Sequence, residues 1–162
     1  MIVVLMGVTG VGKSTVGKLL AAQCGMDFYD ADDHHPPANV AKMRAGTPLQ
    51  DGDRWPWLDR LNELLKQAQT QHRSAVLACS ALKISYRERL SVGCDDVRFV
   101  LLSGEARLIR QRLAERKGHY MNPALLDSQL ATLEASTDCL LVDISDTPQA
   151  LAMYIDAALR KL

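Results

Sequence analysis

The segment Gly7-Val8-Thr9-Gly10-Val11-Gly12-Lys13-Ser14 constrains this chain more than any other. It matches G-x-x-x-x-G-K-[ST]. It also follows an apolar, β-branched run, Ile2-Val3-Val4-Leu5-Met6, and opens a stretch whose Val16, Leu19 and Leu20 recur at helical spacing. A buried strand, a glycine-rich turn and a helix N-terminus in that order form an anion site. The glycines let backbone N–H groups turn inward, and the helix end adds positive potential. Lys13 then reaches the β- and γ-phosphates of a nucleoside triphosphate, and Ser14 ligates its Mg²⁺. Thr15 completes the expected nucleotide-binding run. A turn that binds nothing would not need this lysine and serine at the helix start.

With 162 residues the chain has the length of one domain. Apolar residues make up 48% and charged ones 23%, the balance of a globular core with a hydrated surface. Nineteen basic residues cancel nineteen acidic ones, so the basic excess of a nucleic-acid or anionic-membrane binder is missing. Cys24, Cys79, Cys94 and Cys139 form no C-x-x-C pair, which argues against zinc and thioredoxin-like chemistry. They read as reduced thiols of a cytoplasmic protein. The first residues lack a basic n-region, and no apolar run approaches the roughly 18 residues of a membrane span. No leader and no membrane are therefore expected.

Periodicity predicts strands over 2–6, 27–29, 74–79, 97–102 and 139–144. Helices are predicted over 14–24, 39–45, 53–71, 84–90, 105–116, 123–134 and 148–162. Strands separated by helices imply parallel pairing with both sheet faces covered, an α/β doubly wound domain. The Asp/His/Pro-rich stretch over 30–53 is too long for a plain connection and points to function. A switch GTPase would need N-K-x-D, which is absent. The chain is also short for a motor. Residues 27–59 hold seven aspartates against Lys42, Arg44 and Arg54, a net of −4. Residues 105–117 hold Arg107, Arg110, Arg112, Arg116 and Lys117 against Glu105 and Glu115, a net of +3. The basic segment suits polyphosphate and the acidic one a hydroxyl-rich substrate. Together they suggest a small-molecule or nucleotide kinase.

Four further segments resemble the P-loop (thermoresistant) gluconokinases. They are Asp30-Ala31-Asp32-Asp33-His34-His35-Pro36 with Asn39 and Lys42-Met43, then Gly46 to Leu58, then Cys79-Ser80-Ala81-Leu82-Lys83 with Tyr86-Arg87. The last is Arg112 to Met121 leading into Leu125-Leu126 and Ser128-Gln129. The resemblance runs in order from Met1 to about Glu134. It implies a nucleoside-monophosphate-kinase-like fold with sheet order 2-3-1-4-5, ATP-dependent phosphorylation of D-gluconate at its 6-hydroxyl, and a homodimer. The whole chain, 1–162, would be one kinase domain with a substrate-binding insertion at about 30–58 and a lid at about 112–124. In the family a proline and acidic residues follow the position of Glu134; here Ala135-Ser136-Thr137-Asp138 leads almost directly into Cys139. Shikimate, adenylylsulfate or nucleotide kinases of the same fold, and a non-catalytic ATP and sugar-acid sensor, are the alternatives.

Each candidate site residue has a plainer reading beside the functional one. Asp32 can take the proton of the attacking hydroxyl or bind Mg²⁺ through water, or it can be a turn or cap aspartate. Asp30 reads as structural and His34 as surface. His35 can bond substrate hydroxyls or be a loop histidine. Arg54 sits where a cation opposes the helix dipole, so either the gluconate carboxylate or a salt bridge to Asp51 or Asp53 must face it. Arg44 is a weaker candidate for that carboxylate. Trp57 reads as core. Ser80 and Lys83 lie at the carboxyl edge of the third strand and would touch substrate, unless Ser80 is only a helix cap. Arg112 and Arg116, four apart, would point two guanidinium groups at one polyphosphate, with Arg116 catalytic beside Lys13. Arg107 and Arg110 read as a solvated face. His119, beside Gly118, would reach substrate from the lid. Leu140-Leu141-Val142-Asp143 resembles a Walker B strand, a reading declined because the last strand is expected at the sheet edge.

Overall fold

In the computed structural model, which describes residues 1–116 and 123–161, strand β1 (Ile2–Met6) is buried along its whole length. It lies third in a five-stranded, wholly parallel sheet of order β2-β3-β1-β4-β5. The other strands are β2 (Asp27–Asp30), β3 (Ala75–Ala78), β4 (Val97–Ser103) and β5 (Cys139–Asp143). Ile2 pairs in register with Ala75 of β3 and Val97 of β4. The two-residue period of a strand sends alternate side chains to opposite faces. Val3 and Leu5 enter one core with helices α1 (Lys13–Cys24), α5 (Ala106–Glu115), α6 (Pro123–Thr132) and α7 (Pro148–Leu159). Ile2, Val4 and Met6 enter the other, against Leu58, Leu61 and Leu65 of α3 (Asp51–Thr70) and Tyr86 and Leu90 of α4 (Ile84–Ser91). A helix α2 (Pro37–Arg44) lies between β2 and α3.

The expected order of strands and helices is the observed one. Two helix starts lie two residues earlier than the periodicity predicts, and those of α1 and α5 differ by one. Helix α2 begins at Pro37, because a proline at the first position has its φ preset and no N–H to satisfy. Helix α3 begins at Asp51, because the Asp53 carboxylate reaches back to the Gln50 N–H at 2.9 Å and closes the first turn two residues earlier. Ahead of α2, residues Ala31–His34 form a 3-10 turn that Asp30 caps through the Asp32 N–H at 3.1 Å. Among the described residues the cysteines are free thiols, and no helix is long and apolar enough to cross a membrane.

Helix α1 is pressed onto the sheet at Gly17. A Cβ there would stand 2.7 Å from Phe28 Cε2 and 3.3 Å from Leu5 Cδ1. Gly17→Ala should therefore destabilise the fold by about 1–3 kcal/mol, overriding the gain in helix propensity. Urea denaturation checks this; an unchanged or raised midpoint would show that the α1–sheet contact is loose.

Candidate active site

The turn after β1 is shaped by close backbone approach. The Gly7 N–H donates to Ser80 O at 3.2 Å, and at its φ of 142° a Cβ would stand 2.6 Å from Leu102 O. Only glycine fits there. Val8 and Val11 are 2% and 0% exposed and pin the turn to the core. Thr9, Gly10, Gly12, Lys13 and Ser14 are left facing a cavity of about 960 Å³. Thr15 is exposed and does not line it.

Lys13 Nζ folds back over its own loop, donating to Gly7 O at 3.0 Å and Val8 O at 2.9 Å. Burial lowers its pKa, an effect that the nearby Asp32 opposes. The Ser14 hydroxyl donates to Asp30 Oδ2 at 2.5 Å, while Asp30 Oδ1 accepts the Asp32 N–H. Capping thus falls to Asp30 and not to Asp32, whose carboxylate accepts no hydrogen bond from the described residues. Asp30 reads as structural from the sequence; the fold adds to that role a direct contact with Ser14. Asp32 is open to the cavity but crowded by its walls, and desolvation followed by the charge of Asp30 raises its pKa against the pull of Lys13.

The acidic segment forms the facing wall. The His35 ring stacks on Trp57, with centroids 4.2 Å apart and planes at 13°. Trp57 is 4% exposed, as its core reading requires, and its Nε1 donates to Ala31 O at 2.8 Å. Buried Asn39 donates through Nδ2 to Asp53 O at 2.9 Å, and the same Nδ2 lies 3.2 Å from His35 Nδ1. A carbonyl can only accept, so the amide orientation is fixed. His35 Nδ1 is then the acceptor and Nε2 carries the proton. Burial, followed by the charge of Arg54, lowers the His35 pKa and keeps that ring neutral.

Arg54 lies in the second turn of α3 and lines the cavity. Its Nη1 donates to Leu49 O at 2.6 Å, and its guanidinium carbon lies 5.7 Å from the centre of the Tyr86 ring. The plainer reading of Arg54, a salt bridge to Asp51 or Asp53, does not form. Asp51 is held by Lys83 at 3.1 Å and by the Tyr86 hydroxyl, and Asp53 by Lys42 at 2.7 Å. Among the described residues no carboxylate is ion-paired with Arg54. Arg44 lines the same cavity.

Other expected residues separate. Ser80 lines the cavity and is not a helix cap, since α4 is capped at Lys83. Lys83 itself is turned to Asp51 and does not line the cavity. Arg116 lines it, but Arg112 donates to Ile144 O at 2.6 Å instead. The helix ends at Glu115, so Arg116 leaves with extended backbone and the four-residue spacing no longer puts the two on one face. Arg110 pairs with Asp127 at 2.7 Å on the surface, and Arg107 is exposed, as expected of a solvated face. His119 and Gly118 lie outside the described residues. Asp143 ends the edge strand β5, and its carboxylate accepts from Ser145 N–H at 2.8 Å, far from any Walker B role. Gln129 of α6 also lines the cavity, a placement that no local spacing signals. Its Oε1 accepts the Thr9 N–H at 2.6 Å, bringing α6 onto the phosphate loop.

The shikimate kinase family model matches residues 9–144. The gluconokinase of Gluconobacter oxydans is 47% identical over 135 residues, covering 83% of this chain and 76% of that one. The thermoresistant gluconokinase of Escherichia coli K12 is 42% identical over 147 residues, covering 88% and 84%. The crystal structure of a gluconokinase from Sinorhizobium meliloti superposes with a TM-score of 0.88 at 39% identity, covering 98% and 91%. The chain belongs to the gluconokinase family. Glu134, which precedes the loop to β5, is anchored by three hydrogen bonds. The Glu134 carboxylate accepts the Ile84 N–H at 2.6 Å, its N–H donates to Leu82 O at 2.9 Å, and Arg87 Nη2 donates to its carbonyl at 2.7 Å. The loop therefore starts from the Ser80–Lys83 turn at the cavity edge.

The raised pKa of Asp32 has a consequence for stability. A carboxyl whose folded pKa lies above its unfolded value favours the native state when protonated. That advantage is present below the unfolded pKa and is lost as pH rises through the folded one. At neutral pH the ionised Asp32 is thus a cost, part of which solvent screens. Asp32→Asn should raise the thermal midpoint modestly at pH 7 and lose that advantage below about pH 4. A lowered midpoint at pH 7, measured by calorimetry, would return Asp32 to a structural role.

Proposed function

We propose that this chain transfers the γ-phosphoryl group of ATP to the 6-hydroxyl of D-gluconate, giving 6-phospho-D-gluconate and ADP. One observation carries the reading. A single cavity joins the phosphate loop to an acidic wall in which Asp51 and Asp53, the carboxylates nearest Arg54 in the chain, are held by Lys83 and Lys42, so that Arg54 faces the cavity with no carboxylate partner among the described residues. Gluconate has the matching chemistry, hydroxyls for the acidic wall and a carboxylate for Arg54, at the end opposite its reacting oxygen.

In this mechanism the 6-hydroxyl oxygen attacks the γ-phosphorus in line, the bond to the β,γ-bridging oxygen breaks, and the proton passes to Asp32. Lys13 and Arg116 stabilise the charge on the transferring group and on the leaving ADP. His35 donates from Nε2 to a sugar hydroxyl, and Ser80 offers a further hydroxyl contact. Magnesium fits the oxygen donors here. Ser14 Oγ and the carboxylates of Asp30 and Asp32 converge, and the repulsion between the two aspartates is what a divalent cation relieves. Ser14 would hold the ion directly and Asp32 through water, and the ion would neutralise phosphate charge. The same reading treats 1–162 as one kinase domain, with about 30–58 as the substrate-binding insertion and about 112–124 as a lid. Free thiols support a cytoplasmic setting, and the family resemblance supports a homodimer.

A substrate panel with coupled ADP detection tests the reaction, and turnover on shikimate or adenylylsulfate in preference to gluconate would overturn it. Lys13→Ala should abolish turnover with the thermal midpoint kept. Arg54→Leu should raise KM for gluconate by about 10²-fold, on the order of 3 kcal/mol, with KM for ATP little changed. Sorbitol, which lacks the carboxylate, should be a poor substrate for both proteins. Equal loss of gluconate and ATP binding would instead make Arg54 structural.

A further inference from the structure

Asp51 and Arg54 are three residues apart at the start of α3, so their side chains leave the helix on the same side. Both reach Tyr86. The Asp51 carboxylate accepts the Tyr86 hydroxyl, and the Arg54 guanidinium lies 5.7 Å from the centre of the same ring. A carboxylate in that position is the natural partner for Arg54, and it would compete with the carboxylate of any ligand. It is held elsewhere. Lys83 Nζ donates to both oxygens of Asp51, each at 3.1 Å, and lies 5.5 Å from the Tyr86 ring centre. A similar pairing occurs two residues further on, where Lys42 of α2 holds Asp53 at 2.7 Å.

Two demands meet at this helix start. Carboxylates in the first turn stabilise a helix, and Asp53 also caps the Gln50 N–H. An arginine meant for an anionic ligand needs those carboxylates occupied. Lysines brought in from α2 and from the turn before α4 satisfy both. The Tyr86 hydroxyl and Lys83 together hold Asp51 below the ordinary carboxylate range, so it stays ionised and paired near neutrality.

We propose that Lys83 is a positioning residue: by holding Asp51 it leaves Arg54 available to the anionic end of the sugar acid. The proposal rests on the reading of Arg54 as the carboxylate-binding residue. It assigns Lys83 no contact with substrate, in accord with its place outside the cavity lining.

Steady-state kinetics on four variants of the full chain test it, with urea midpoints to confirm folding. Lys83→Met frees Asp51 to turn to Arg54. KM for gluconate should rise about fivefold, the scale of a half-exposed ion pair, while kcat and KM for ATP hold. Lys83→Arg, which keeps the pairing, should resemble the parent. The double variant Lys83→Met/Asp51→Asn removes the competitor as well, and KM should return to within about twofold of the parent. A double variant as impaired as Lys83→Met would overturn the proposal and make Lys83 a direct ligand or a loop support. So would an unchanged KM in Lys83→Met. Arg54→Leu separates the two levels. If it leaves KM for gluconate unchanged, the carboxylate reading fails and takes this proposal with it. If it raises KM but the double variant shows no rescue, this proposal alone fails.

Discussion

The backbone at Gly7 is the contact on which the site depends. Strand β1 runs between β3 and β4, so its carboxyl end emerges between two other strand ends. The chain can turn there only if it passes close to both. Gly7 does so, with its N–H on Ser80 O and the place of a Cβ taken by Leu102 O. Everything after it inherits that position. Val8 and Val11 lock the loop downward, α1 starts with its amino end at the cavity, and Lys13 and Ser14 arrive beside Asp30 and Asp32 at the end of β2. A side chain at residue 7 would push the turn off the sheet and carry the phosphate site with it.

Around that turn the charges are sorted by partner. Asp53 has Lys42, Asp51 has Lys83 and Tyr86, and Asp30 has Ser14 and the cap of the 3-10 turn. Asp32 and Arg54 line the cavity without such partners among the described residues, as do Arg44 and Arg116. Unpaired charge in a confined space is a cost to folding. The neutral His35, stacked on Trp57 and fixed in one tautomer by Asn39, adds a directional donor to the same cavity.

Much of this was legible from the residues in order. The alternation of β-branched runs with amphipathic ones gave the strand and helix order, because burial on a sheet and burial on a helix impose different periods. The phosphate loop was legible because its glycines, lysine and serine act through fixed spacing along a single turn. Asp32, His35, Arg54 and Ser80 were legible as candidates and do line one cavity. Two placements turn on contacts that linear spacing does not carry. Helical spacing puts Arg112 and Arg116 on one face only while the helix lasts, and it ends at Glu115. Lys83 was expected at the substrate by its place after β3, yet a partner from α3, 32 residues earlier in the chain, takes its charge.

The sequence by itself therefore determined the fold class, the phosphate loop and the pool of polar residues from which the site is drawn. Those depend on local spacing and on the pattern of burial, which a linear string carries. Only the tertiary structure decided which charges are paired. It gave Asp30 to Ser14, Lys83 to Asp51 and Gln129 to the Thr9 N–H, all contacts between elements far apart in the chain. Pairing is a matter of a few ångströms between groups that sequence order does not relate. Which charge remains open to a ligand is settled only after every other charge has found its partner.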